Sequence, residues 1–169
     1  ELTGKLGIIG AGSIAESLIS GLISGDIYPP REICVINRKN DERLRYMMER
    51  YGVYTTRSYK EILAYCKVIV IAVKPNDVFG LLNTIRDYIT EDHVIISVAA
   101  GISTSFIENN IGKKVQVVRV MPNTSCQVKE SATAIAAGRV TEQKALTVVQ
   151  KIFSAVGKVF IVEEESLDG

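Results

Sequence analysis

Two stretches of this chain are apolar almost without a break: Lys67–Val73, KVIVIAV, and His93–Gly101, HVIISVAAG. A strand with one wet face alternates polar and apolar residues. A strand apolar throughout is covered on both faces, as in parallel sheets. Around these runs lie segments whose apolar residues recur every three or four positions, the period of an amphipathic helix. Read in order, the pattern predicts a strand at Lys5–Gly10, then a helix at Ser13–Ser24 with Ile14, Leu18, Ile19, Leu22 and Ile23 on one face and Gly25 as a left-handed cap. A strand at Glu32–Asn37 leads to a helix at Asp41–Tyr51, with Leu44, Met47 and Met48 inward and Gly52 as stop. A strand at Val53–Thr56, a short helix at Tyr59–Tyr65 and the first apolar run follow. Next come a helix at Pro75–Ile89, the second apolar run, a helix at Ser103–Asn110 and a strand at Val115–Met121. The pattern closes with a strand at Ala132–Ala137, a helix at Thr141–Ala155 and a strand at Lys158–Val162. The last helix is expected to bury Ala145, Val148, Val149, Ile152 and Phe153. Such alternation specifies an α/β fold: a doubly wound, mostly parallel sheet with right-handed crossovers and helices on both faces.

The chain has 169 residues, enough for one domain spanning 1–169. Its 20 basic and 19 acidic side chains leave a net charge of +1, with no basic excess that asks for nucleic acid. No apolar run approaches the roughly 18 residues of a membrane span. Residues 1–4 do not resemble a signal peptide, and the cytoplasm is the expected compartment. Cys34, Cys66 and Cys126 lie far apart and form no metal or redox pair. Cys34 and Cys66 are expected to pack as small apolar residues. The only histidine, His93, reads as a surface or capping residue and has no nucleophile context for a Ser-His-Asp hydrolase. The closing EEESLDG reads as a polar tail.

Gly10-Ala11-Gly12-Ser13-Ile14-Ala15 stands where the first strand passes into the first helix. This is the Gly-x-Gly-x-x-Ala form of the dinucleotide fingerprint, in the strand–turn–helix context that gives it meaning, and it makes the fold Rossmann-type. The first glycine permits the tight turn. The second brings no Cβ between the backbone and a diphosphate. Ala15 lets the helix lie close on the strand. The helix start then offers unpaired N–H groups and a partial positive charge to the phosphates.

The end of the second strand reports on the nucleotide. An acidic residue there would hold the ribose diol of NAD. This chain has Asn37, Arg38 and Lys39, with no charge to repel a 2′-phosphate and two cations to attract one. The expected cofactor is NADP(H), with NAD(H) as the alternative. Asp41 is expected to cap the following helix, though it is near enough in sequence to turn toward the ribose. In an open α/β sheet, ligands bind at the carboxyl ends of the strands. Gly10, Asn37, Ala72-Val73-Lys74-Pro75, Ala99-Ala100-Gly101 and Met121-Pro122-Asn123-Thr124 all fall there, each expected to break an apolar run with small, cyclic or amide residues.

The stretches IGAGSIAESLISGL, AVKPNDV, SVAAGIS, VVRVMPNTS and FSAVGKV together resemble the pyrroline-5-carboxylate reductase family, in the family's order and with similar spacing, from Lys5 to about Leu167. The resemblance implies NAD(P)H-dependent reduction of the cyclic imine 1-pyrroline-5-carboxylate to proline, the last step of proline biosynthesis. It implies cofactor contacts at Ile9–Ile14 (Ile9, Gly10, Ala11, Gly12, Ser13, Ile14), at Asn37, Arg38 and Lys39, at Ala72, Val73, Lys74 and Pro75, at Ala99, Ala100 and Gly101, and at Asn123. Where the family often has Asn near the adenine, this chain has Tyr59, which could stack on the base. The family also has a helical domain that dimerises the protein and holds most of the substrate. The resemblance implies that this domain would begin where the chain stops at Gly169, and that the isolated chain would be inactive. No residue presents itself as catalytic and none as a metal ligand: His93 is at the wrong end of its strand, and Lys74 is better placed to serve charge. The competing readings are a dehydrogenase of the β-hydroxyacid or 6-phosphogluconate type, and a non-catalytic NADP-binding module.

Overall fold

The computed structural model describes residues 4–123 and 132–167. Eight strands form one sheet in the order β3-β2-β1-β4-β5-β6-β7-β8. They are β1 (Lys5–Ile9), β2 (Ile33–Ile36), β3 (Tyr54–Thr56), β4 (Cys66–Ile71), β5 (Val94–Ser97), β6 (Gln116–Asn123), β7 (Ala132–Ala137) and β8 (Lys158–Ile161). Among the described residues six α-helices connect them: α1 (Ser13–Ser24), α2 (Asp41–Tyr51), α3 (Tyr59–Tyr65), α4 (Pro75–Ile85), α5 (Thr104–Ile111) and α6 (Gln143–Phe153). Every neighbouring pair is parallel except β6 and β7, which run antiparallel over six register positions from Val118↔Ala137 to Asn123↔Ala132. The doubly wound, mostly parallel sheet expected from the sequence is thus observed.

The apolar runs are buried for the reason their composition implies. Successive side chains of a strand point to opposite faces. Val68 and Val70 of β4 join Leu6, Ile8, Val94 and Ile96 under α1, α2 and α6. Ile69 and Ile71 join Ile9, Ile36 and Ile95 under α3, α4 and α5. Two apolar layers therefore sandwich the central strands, and only the strand ends reach solvent.

Several local expectations change. Ile14 is 47% exposed, and Ala15 takes its place in the buried stripe with Leu18, Ile19 and Leu22. Met48 is likewise outward, because Leu44 and Met47 already fill the three-residue spacing that meets the sheet. In α6, Leu146 is buried while Val148 is only partly covered. Gly25 has φ −88°, an ordinary value; the left-handed residue is Asp26, at φ 54°. The α-helix after β4 ends at Ile85, and the turn tightens to 3-10 geometry over Arg86–Tyr88. Asn40, not Asp41, caps α2: its side chain accepts from Arg43 N at 3.0 Å.

His93 is buried rather than exposed. Its Nδ1 accepts from Thr90 N at 2.9 Å, so Nε2 carries the proton that goes to Leu63 O at 2.7 Å. The ring ties the end of α3 to the approach to β5. Nor is the closing segment a free tail. Glu164, in a 3-10 turn at Glu164–Leu167, accepts from Thr104 N and Oγ1 at 2.8 and 2.6 Å and lies 3.4 Å from Nη1 of the buried Arg119. Cys66 is buried and Cys34 partly so; burial pushes their thiols up to about 12 and about 11, so both are protonated packing groups, as expected. Cys126 lies outside the described residues. No helix among the described residues is long and apolar enough to cross a membrane.

Candidate nucleotide-binding site

The strand order reverses direction between β1 and β4, where doubly wound sheets open a crevice at the carboxyl ends of their strands. The backbone stays stitched beyond the strands: Gly10 N donates to Ile36 O at 2.9 Å, Ala72 N to Ile9 O at 2.8 Å and Val98 N to Ile71 O at 3.2 Å. The sequence-predicted groups at the ends of β1, β2, β4 and β5 are therefore gathered on one edge. β6 differs from expectation, since Met121, Pro122 and Asn123 continue a paired strand instead of breaking it. Thr124 and the side chain of Asn123 lie outside the described residues.

The two glycines of the fingerprint do different things. Gly10 has φ +118°, and a Cβ on it would stand 2.5 Å from Ala72 O. The protein's own packing requires glycine there. Gly12 has φ −84°, open to any residue, and a Cβ on it would meet nothing within 4 Å. Nothing in the described residues requires glycine there. It is nonetheless the N-cap of α1, and it brings no side-chain oxygen to satisfy the first N–H groups. Glu16 N, four residues on, donates to Gly12 O at 3.0 Å. An open, side-chain-free space thus lies at Gly12, beside a helix start that no side chain caps. Ser13 and Ile14 are exposed beside it, while Ile9 and Ala11 turn their side chains into the core and offer backbone alone.

At the end of β2 the chain turns on Asn37, whose Oδ1 accepts from Lys39 N at 2.9 Å and Asn40 N at 3.2 Å. The turn presents Arg38 and Lys39 to solvent. Arg38 lies 5.4 Å over the ring of Tyr59, so the aromatic residue read as a base platform also carries the guanidinium beside it. Sequence reasoning missed Arg57, which donates to Arg38 O at 3.1 Å and pairs with Asp41 at 3.3 Å. Asp41 thus has Arg57 beside it, and Arg57 adds a third cation to the edge.

Lys74 caps the start of α4 in extended geometry with Pro75 as its first residue, both exposed. Ala72 and Val73 pack partly against the two cores. Ala99 is buried in the second core, so the room expected along Ala99–Gly101 is left by Ala100 and by Gly101, which has φ +76° and open space around it. Among the described residues no group of three or more His, Cys, Asp or Glu gathers to hold a metal.

The family described as NADP oxidoreductase, coenzyme F420-dependent, matches residues 5–101, a span that contains the glycine turn, the Asn37–Lys39 turn and Lys74. The chain belongs to that family. Pyrroline-5-carboxylate reductase 2 of Bacillus subtilis (strain 168) is 37% identical over 164 residues, 97% of this chain and 59% of the relative. A solved pyrroline-5-carboxylate reductase from Coxiella burnetii superposes with a TM-score of 0.87 at 34% identity, over 95% of this chain and 59% of that one. The pyrroline carboxylate reductase of Plasmodium falciparum, solved with NADP bound, shares the fold with a TM-score of 0.83 at 24% identity, over 99% of this chain and 60% of that one. These relatives bear out the resemblance read from the sequence, and the chain spans about three-fifths of their length.

Proposed function

We propose that this chain is the nucleotide-binding part of a pyrroline-5-carboxylate reductase and that it holds NADPH across the carboxyl edge of its sheet. The observation that carries the reading is Gly12: a glycine the protein's packing does not need, at a helix start with free N–H groups, beneath open space of the kind a diphosphate fills. In this reading the N–H groups of Gly12, Ser13 and Ile14 hold the diphosphate. Arg38 and Lys39 receive the 2′-phosphate, with Tyr59 beneath the adenine. Lys74, Ala100 and Gly101 line the path toward the end of β6.

When bound, the reduced nicotinamide supplies the hydride that adds to the imine carbon of 1-pyrroline-5-carboxylate, and a proton on the ring nitrogen completes proline. The chain's own contribution is to orient: the small residues at Ala100–Gly101 leave a face open, and no side chain of this edge is assigned the proton. Solvent or the portion present in the longer relatives supplies it. That portion, proposed to be helical and dimerising, also holds most of the substrate and makes the whole protein a homo-oligomer. The proposal keeps a cytoplasmic setting, with neither nucleic acid nor membrane as partner.

Titration calorimetry of the chain with NADPH and with NADH tests the reading. NADPH is expected to bind about ten- to a hundredfold more tightly, the worth of roughly 1–3 kcal/mol from charge-assisted contacts. Arg38→Ala is expected to narrow that gap. An unchanged ratio removes Arg38 from the site, and uptake of neither nucleotide sinks the proposal. NADPH oxidation by the whole protein with 1-pyrroline-5-carboxylate, set against NADP⁺ reduction with hydroxyacids, tests the substrate.

A further inference from the structure

The glycine turn is braced from outside its own strand and helix. Arg43, in the first turn of α2, sends its Nε–H to Ala11 O at 2.5 Å. Its Nη2 reaches Glu16 Oε1 at 2.6 Å and Gly12 O at 3.4 Å. The other oxygen of Glu16 accepts from the Tyr46 and Tyr51 hydroxyls at 2.6 and 2.5 Å. The Arg43 guanidinium also lies 4.8 Å over the Tyr46 ring. Three side chains of α2 therefore converge on one carboxylate of α1, and the same guanidinium holds two carbonyls of the turn between β1 and α1.

That arrangement has a consequence for the amides. In a trans peptide the C=O and N–H point to opposite sides. Drawing the Ala11 and Gly12 carbonyls toward Arg43 turns the N–H groups of Gly12 and Ser13 the other way. A cationic donor on a carbonyl also polarises its amide and strengthens the N–H opposite. Glu16 poses a second problem. A carboxylate in the first turn suits the helix dipole, but it repels an anion placed at the same tip. Ion pairing with Arg43 offsets its charge, and the two hydroxyls fix its second oxygen against α2.

Resting on the nucleotide reading above, we propose that Arg43 is a positioning residue for the diphosphate. It holds the Ala11–Gly12 and Gly12–Ser13 peptides with their N–H groups outward and cancels the Glu16 charge, without itself touching the ligand. The diphosphate is common to NADPH and NADH, so the effect must be common too. Arg38 governs the difference between the two nucleotides; Arg43 governs what they share.

Calorimetry on the full chain with NADPH, NADH and adenosine 2′-phosphate, which lacks the diphosphate, tests this. Arg43→Met is expected to weaken both dinucleotides by the same factor, about tenfold for a lost charge-assisted contact, while adenosine 2′-phosphate binds as before. Adding Glu16→Gln to Arg43→Met is expected to recover part of the loss, because the uncancelled carboxylate is gone. Should Arg43→Met fold poorly, Arg43→Lys keeps the charge but loses the fork that reaches several acceptors at once. It is expected to show a smaller loss, again equal for the two dinucleotides. Dinucleotide affinities within about twofold of the unaltered chain in both variants overturn the proposal, and so does an equal loss for all three ligands, which is what a merely structural role gives. A chain that binds neither dinucleotide before any substitution overturns the nucleotide reading itself and this inference with it.

Discussion

Gly10 and Gly12 are two residues apart and look alike in sequence, yet the structure gives them opposite reasons to exist. A methyl group at Gly10 would meet Ala72 O at 2.5 Å from a left-handed backbone, so the protein pays for any side chain there in stability. A methyl group at Gly12 would meet no protein atom, in a conformation alanine adopts freely. Gly10→Ala is therefore expected to lower unfolding free energy by about 2–5 kcal/mol, combining backbone strain with a forced contact. Gly12→Ala is expected to shift stability by less than about 1 kcal/mol, because alanine's smaller loss of freedom on folding is offset by its poorer fit at the helix N-cap that Gly12 occupies. NADPH affinity of Gly12→Ala should nevertheless fall by at least about tenfold, as the methyl group takes the space of the diphosphate. Urea unfolding and calorimetry on the two variants separate these effects. A Gly12→Ala chain that binds NADPH like its parent would leave that glycine without a ligand to serve. The sequence shows both glycines but not this division, which depends on how closely the end of β4 approaches the end of β1.

The strands and helices were largely legible, because burial on both faces writes itself into β4 and β5 as unbroken apolar runs, and a single buried stripe writes itself into α1, α2 and α6 as spacing. What stayed hidden depends on elements meeting in space. Neither the antiparallel pairing of β6 with β7 nor the outward turn of Ile14 has a local signal. The Arg43, Tyr46 and Tyr51 contacts to Glu16 span 27 to 35 positions and join residues that each look like ordinary surface polar groups. His93 is a similar case. Its buried ring joins α3 to β5, and burial holds its basicity below the ordinary value of 6.5. Its Nδ1 already accepts from Thr90 N, so protonation would set two donors against each other. Between the folded value and 6.5 the unfolded chain thus binds more protons than the folded one, and stability falls as pH falls. The unfolding free energy from urea titrations is expected to be flat only between about pH 7 and 8 and to decline below 6.5, with a slope of at most about 1.4 kcal/mol per pH unit for one proton. His93 is the only histidine, so His93→Leu should remove the decline between 6.5 and the carboxylate range. An identical decline in His93→Leu would place its cause elsewhere. Glu16 acts lower. Hydrogen bonds from Tyr46, Tyr51 and Arg43 hold it near 2, so its contribution is intact above 4.5 and is lost only as pH falls from there through about 2.

At the scale of the whole molecule, one sheet with a core on each face couples the nucleotide edge to the stability of everything behind it. A ligand that binds only the folded state adds RT ln(1 + [L]/Kd) to the unfolding free energy. With free NADPH about a hundredfold above its Kd, that is about 2.7 kcal/mol, and in a domain of this size each kcal/mol moves the melting midpoint by about 2–4 °C. The chain's midpoint should therefore rise by roughly 5–11 °C. At the same NADPH concentration a Gly12→Ala chain with tenfold weaker binding gains only about 1.4 kcal/mol, so its shift from its own unliganded midpoint is about half as large. Arg38→Ala has a different signature: its shift with NADPH shrinks toward the value NADH gives, and its shift with NADH does not change. Thermal melts of the three chains with each nucleotide read both effects on one scale. Equal NADPH shifts in the parent and Gly12→Ala chains would mean that the nucleotide binds elsewhere than at the start of α1, since a methyl group there could not be invisible to a diphosphate held by the same amides.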